Sequence, residues 1–163
     1  AKCEALPLTV AATRASLTDL PFHWKLKNLK YLGILINKGL DNMAKDNYSP
    51  LLAILKSDIV RWSHLRLSMW GKIQIVKMNI APRFNYLFGM IPLQCPKGML
   101  KELDKVIQDF VWEGKRPRLK KSKLHAHTEK GGLRLPHMDS YWVAHQLAQT
   151  VYVYVYKGPL PPG

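Results

Sequence analysis

Cysteine is nearly absent from this chain of 163 residues: Cys3 and Cys95 are the only two. Two thiols are too few for a disulfide framework, and neither sits in a Cys-x-x-Cys spacing suited to zinc or redox work. A reduced intracellular compartment, nuclear or cytoplasmic, is therefore expected. Long apolar runs are missing too, and nothing approaches the ~20 consecutive apolar residues of a spanning helix. The N-terminus lacks the basic start and apolar core of a signal peptide, and a chain that opens on alanine reads as a slice of something longer. Acidic residues are scarce, 11 against 25 Lys and Arg. No two acids are adjacent and no Tyr-x-Asp-Asp occurs. A polymerase needs carboxylates that hold two divalent ions, so neither catalysis nor a resident cofactor is expected of this chain alone. Asp41 and Asp46, or Asp104 and Asp109, read as solvated helical charges. His125 and His127, beside a basic run, read as surface imidazoles, and His64 and His145 stand alone. No nucleophile elbow and no phosphate-cradling glycine loop appears.

What is present is positive charge. The net charge is +14, and it is segregated. No acid lies between Asp58 and Glu102, where Arg61, Arg66, Lys72, Lys77, Arg83, Lys97 and Lys101 fall. A second acid-free stretch separates Asp19 from Asp41, and a third holds Lys115, Arg116, Arg118, Lys120, Lys121 and Lys123. A merely soluble surface intersperses both signs, so three such stretches favour a polyanion. With neither a basic amphipathic helix nor a lipidation signal, nucleic acid is favoured over membrane. The run from Lys115 to Lys123 also suits a nuclear localisation signal, or a plain solvated connector.

With 47% hydrophobic residues the chain is long enough to bury a core. The pattern predicts a mainly α fold, with a short β-hairpin or strand region at the N-terminus, a three-helix bundle and a C-terminal helix. Ala5 to Val10 reads as a strand, Thr13 to Asp19 as a polar loop, and Leu29 to Ile36 as a strand stopped by Asn37 and Gly39. Ser49 before Pro50 reads as an N-cap followed by proline at the first helical position, with Leu52, Leu55, Ile59 and Trp62 on one face. A second helix from Ser68 to Ile80 carries Met69, Ile73, Val76 and Ile80, and Pro82 ends it. A third, from about Lys97, carries Leu100, Leu103, Ile107, Phe110 and Val111. Helix is expected again at Trp142, Val143, Ala144, Leu147 and Ala148. After it, Val151 to Tyr156 alternates two strand-preferring residue types, and the closing Gly-Pro tail, Gly158 to Gly163, is expected to be disordered. The divisions are residues 1–40, 41–113 and 114–163.

Six segments carry a resemblance: Lys30-Tyr31-Leu32-Gly33-Ile34, Tyr48-Ser49-Pro50-Leu51-Leu52, Arg61-Trp62, Ser68-Met69-Trp70-Gly71-Lys72-Ile73, Gly114-Lys115-Arg116-Pro117-Arg118 and Gly131-Gly132-Leu133-Arg134-Leu135-Pro136. In this order and spacing they resemble the reverse transcriptase of LINE-type non-LTR retrotransposons, in the part just after the catalytic aspartates. The similarity spans about residues 1 to 148. It implies the end of the palm, in which Lys2-Cys3-Glu4-Ala5-Leu6-Pro7 looks like the segment after the aspartates. It also implies a hairpin at Lys30, Tyr31 and Gly33 supporting the primer end, a thumb over residues 41 to 113, and a basic connector beyond. The valine–tyrosine tail departs from the family, which suggests a truncated or frameshifted copy.

The implied function is a non-catalytic fragment of an RNA-directed DNA polymerase. It would bind RNA or an RNA–DNA hybrid through the backbone, with the missing palm as a further partner and no small-molecule substrate. The full-length family enzyme would use Mg. A helical protein–protein interaction module, or a relic of the element without function, are the other readings. A duplex that must slide is best held by contacts to phosphates, and Arg61, Arg66, Lys72, Lys77 and Arg83 are the first candidates. Of the tryptophans, Trp62 reads as core, while Trp70, off its helix's stripe, is a candidate for stacking on a base. Tyr31 suits either the primer terminus or plain packing.

Overall fold

The structure is a computed structural model that describes residues 3–7, 23–40 and 42–156. Outside them lie Lys2, the expected strand beyond Pro7, the expected loop at 13–19, Asp41 and the Gly-Pro tail. The fold is mainly helical, with a short strand region at the N-terminus. Two compact units divide it, Ala1–Ser49 and Pro50–Gly163, and one helix has residues in both.

In the first unit, β1 (Glu4–Ala5) pairs parallel with β2 (His23–Trp24). Strands β3 (Asn28–Tyr31) and β4 (Ile34–Asn37) form an antiparallel hairpin in which Tyr31 faces Ile34. The apolar run Leu29 to Ile36 is thus not one strand. It reverses at Leu32 and Gly33, whose φ angles of 47° and 80° are both positive, as a two-residue turn matching the strand twist requires. Glycine reaches that region freely; Leu32 is held there. On the other side of β4, the Asn47 side chain donates to the Leu35 carbonyl and accepts from the Leu35 N–H, both at 2.8 Å. One amide side chain therefore does for the open strand edge what another strand would.

Asn47 belongs to helix α1 (Met43–Ser63), and here an expectation fails. The helix starts at Met43, so Ser49 is no cap and Pro50 lies inside. Proline there removes the N–H that would bond the Asp46 carbonyl. The first turns form nonetheless, because Met43, Ala44 and Tyr48 are buried and Asn47 ties them to β4. Tertiary contacts outweigh the local start signal.

The second unit takes the rest of α1, on which Leu52, Leu55 and Asp58 are buried. Helix α2 (Met69–Ile75) opens on Ser68, whose Oγ accepts from the Gly71 N–H at 3.2 Å. Pro82 does not end this run. A π-helical turn, Val76–Ile80, leads directly into α3 (Ala81–Met90). The Ala81 N–H bonds back to the Val76 carbonyl, five residues away, and this wider turn admits the proline ring where a tight one would clash. The apolar stripe stays in register through it: Ile73, Val76, Ile80, Phe84, Leu87 and Phe88 are all buried.

Helix α4 (Met99–Trp112) buries Met99, Leu103, Ile107, Phe110 and Val111, and packs on α2. It stops at Glu113 and Gly114, with φ of 56° and 68°. The short α5 (Lys121–His125) is backed by Leu133 to Leu135, whose N–H groups bond Lys123, Ala126 and Leu124 carbonyls. A Cβ at Gly132 would run into the Ala126 carbonyl, which is why glycine stands there.

Helix α6 (Met138–Val151) packs on α3 and continues as a π-helical segment, Tyr152–Tyr156. The strand expected at Val151 to Tyr156 is corrected: the run is helical. A strand needs a ladder partner, and none faces this run among the described residues. Val and Tyr cost only about 0.5 kcal/mol each in a helix relative to better formers, and extending an existing helix avoids the nucleation penalty.

Candidate nucleic-acid interface

The structure sorts the cations of the second unit by whether a carboxylate holds them. Asp58, buried on α1, accepts from Arg83 at 2.6 Å and from Arg61. The Arg83 hydrogen bond, then the Arg61 one, hold its carboxyl below the usual range. Glu113, at the left-handed end of α4, accepts from Lys72 at 2.5 Å and from Lys115 at 2.8 Å. Lys121 bonds Asp104 and Lys56 bonds Glu102, each at 2.5 Å.

Lys72 is the clearest departure from expectation. It is only 4% exposed. Its ammonium lies 6.0 Å from the Phe110 ring, in a cleft of about 410 Å³ lined by Ile59, Ser63, Lys72, Asp109, Phe110 and Glu113. A buried, ion-paired ammonium cannot reach a phosphate without breaking its pair, so Lys72 joins α2 to α4 instead. Lys77 is also engaged: it donates to the Leu133 carbonyl at 3.2 Å and stands 5.3 Å from the Trp70 ring centroid. Lys123 donates to the Lys130 carbonyl at 3.3 Å.

Other cations of the unit have no acidic partner among the described residues. Arg66 lies exposed in the connection before α2. Arg116, Arg118 and Lys120 follow one another along a wholly exposed segment between α4 and α5. Lys101 and Lys105, one turn apart on α4, are exposed and unpaired as well. Their spacing was the signal for them, and neither was among the candidates. Lys30, Tyr31 and Gly33 sit at or beside the hairpin turn of the first unit, with Lys30 exposed and Tyr31 59% exposed.

The tryptophans divide much as their spacing suggests. Trp62 is half-buried with its ring 6.0 Å from Phe110, and Trp70 is 48% exposed. Trp70 thus offers an indole surface, polarised by Lys77, at which a base can stack. His125 is no surface imidazole. It is half-buried, its Nδ1 lies 2.7 Å from the Leu135 carbonyl, and its ring meets His137 edge-on at 4.9 Å. Burial, with the Asp139 charge second, pushes the Cys95 thiol up to about 12, so it stays protonated and unreactive. Among the described residues, no three His, Cys, Asp or Glu side chains are grouped to hold a metal, and no helix is long and apolar enough to cross a membrane.

The Glu113 knot gives a pH prediction. Hydrogen bonds from Lys115 first and Lys72 second hold its carboxyl down from an ordinary value of 4.5 to about 2. The unfolded chain takes up this proton more readily than the folded one, so the contact contributes fully above pH 4.5 and is lost as pH falls from 4.5 towards 2. Thermal midpoints stepped down through that window should drop more in the native chain than in Glu113→Gln. Parallel profiles would show that the knot holds nothing.

No family model matches the chain.

Proposed function

We propose that the second unit binds nucleic acid through its phosphate backbone, without reading bases, as the thumb and connector of a LINE-type reverse transcriptase would, and that the chain is a non-catalytic fragment of such a polymerase. The observation that carries the reading is the exposed segment between α4 and α5. There Arg116, Arg118 and Lys120 stand without acidic partners on a chain whose net charge is +14. Cations whose charge is not spent internally are available to displace counterions from a polyphosphate. The Lys30 to Ile34 hairpin forms the turn that the resemblance calls for, and Trp70 beside Lys77 supplies a stacking surface. A backbone-shaped ligand, an RNA–DNA hybrid or RNA, suits contacts of this kind.

Fluorescence-anisotropy titration of the nucleic-acid-free chain against a hybrid, duplex DNA and single-stranded RNA tests it. Dissociation constants of ~1 to 100 µM at physiological salt are expected, rising linearly with salt on a log–log plot and changing little with base sequence. A chain shown to be folded that binds none of the three at low salt would refute the proposal.

A further inference from the structure

Helix α6 turns Met138 and, in part, Trp142 inward in its first half. From His145 on, the residues turned to the rest of the unit are polar: Gln146 Nε2 donates to the Phe88 carbonyl at 3.2 Å, Gln149 donates to the Gly89 carbonyl, and the His145 ring lies 6.4 Å from that of Phe88. Residues turned outwards are apolar. Val143, Leu147 and Val151 are 46%, 61% and 53% exposed, and Tyr154 is 79% exposed. These recur every three or four residues, so they form one continuous ridge along the helix. Beside it, Ser140, Ala144 and Ala148 make a parallel row of small exposed residues. Between the rows lies a shallow depression of about 330 Å³ lined by Asp139, Ser140, Val143, Ala144 and Leu147. A monomer rarely leaves such a contiguous apolar strip to water.

We infer that this face of α6 is a homodimer interface, packed antiparallel against the same face of a second copy. Charge selects that occupant. Residues 140 to 156 contain no Asp, Glu, Lys or Arg, whereas each of the other described helices carries Lys or Arg. Two chains at +14 repel each other wherever those helices meet, and α6 is where they can approach without a like-charge penalty. A polyanion finds no cation here, and an acidic protein finds better complements elsewhere on the same chain. Shape agrees, because the face holds both a ridge and a groove: crossed about Leu147, the Val143–Leu147–Val151 ridge of each copy seats beside the other's Ser140–Ala144–Ala148 row. Residues 138–156 span only ~28 Å at helical rise. One face of that length falls short of the ~800 Å² per partner of a tight complex, so the dimer is weak and reversible.

Sedimentation equilibrium of the full chain, freed of nucleic acid, over roughly 1 µM to 1 mM is the test. A single monomer–dimer equilibrium is expected, tightening as salt screens the net charge. In Leu147→Asp/Val151→Asp the dissociation constant should rise at least tenfold while the circular dichroism and melting point stay unchanged, since both positions are exposed. Val60→Asp, at an exposed apolar position on α1, should dimerise like the native chain. The inference is overturned by a native chain that stays monomeric throughout, by a dimer that survives the double variant, by equal loss in Val60→Asp, or by association that grows past the dimer without a plateau. Monomeric behaviour with intact nucleic-acid binding would remove this interface and leave the proposed function standing.

Discussion

Phe88→Ala should destabilise the second unit by about 3–5 kcal/mol, the range for emptying a fully buried aromatic site. Phe88 is 0% exposed. Its ring lies 6.3 Å from Phe84 on its own helix and 6.4 Å from His145 on α6. Its carbonyl accepts from Gln146, so the residue joins α3 to α6 through both side chain and backbone. Removing the ring opens a cavity where the two helices meet, and polar side chains line α6 on that side. They cannot close over the hole as apolar ones would, which places the cost towards the upper end. Thermal denaturation followed by circular dichroism should show a midpoint lower by roughly 10 °C or more. Met78→Ala, in the π-helical turn and 78% exposed, should stay within about 0.5 kcal/mol of the native chain. Equal midpoints for the two variants would mean that α6 is not held on α3 as described.

The same helices show what is legible in the sequence. Ile73, Val76 and Ile80, and likewise Leu103, Ile107, Phe110 and Val111, are buried at the positions their spacing predicts, because periodicity reports which face meets the core whatever the ends do. Helix ends were harder. Ser49-Pro50 is a sound local start signal, yet a distant strand edge recruits Asn47 and pulls the start back to Met43. Pro82 is a sound local stop, yet a π turn makes room for it. The valine–tyrosine run has high strand propensity, but propensity needs a neighbouring strand to act on, and the run extends an existing helix instead.

The candidate site was legible as a quantity of charge and illegible as a pattern of pairing. Lys72 and Arg116 look alike in the sequence, each a cation in an acid-free stretch. Only the fold brings Glu113 to Lys72 across 41 positions of chain, and Asp58 to Arg83 across 25. Carboxylates far away in sequence thus consume several of the cations that local composition had offered to a ligand.

That distinction makes the sharpest prediction about binding. Arg116→Ala/Arg118→Ala/Lys120→Ala removes three exposed cations that have no acidic partner among the described residues. Each phosphate neutralised contributes about 0.9 to the log–log salt slope on duplex DNA, so the slope should become shallower by roughly 2.7, and affinity at physiological salt should fall about a hundredfold. The melting point should stay put, since the segment packs against nothing that the three side chains hold. Lys72→Met removes one cation too, but the opposite split is expected. Its ammonium is buried against Glu113, so the melting point should drop while the salt slope stays the same. Net charge alone predicts that Lys72→Met costs a third of whatever the triple variant costs. Pairing predicts that it costs nothing in slope, and anisotropy titrations of the two variants at several salt concentrations separate these outcomes. If the slopes scale with the number of cations removed, wherever they sit, then the surplus charge binds diffusely and the segment between α4 and α5 is no interface.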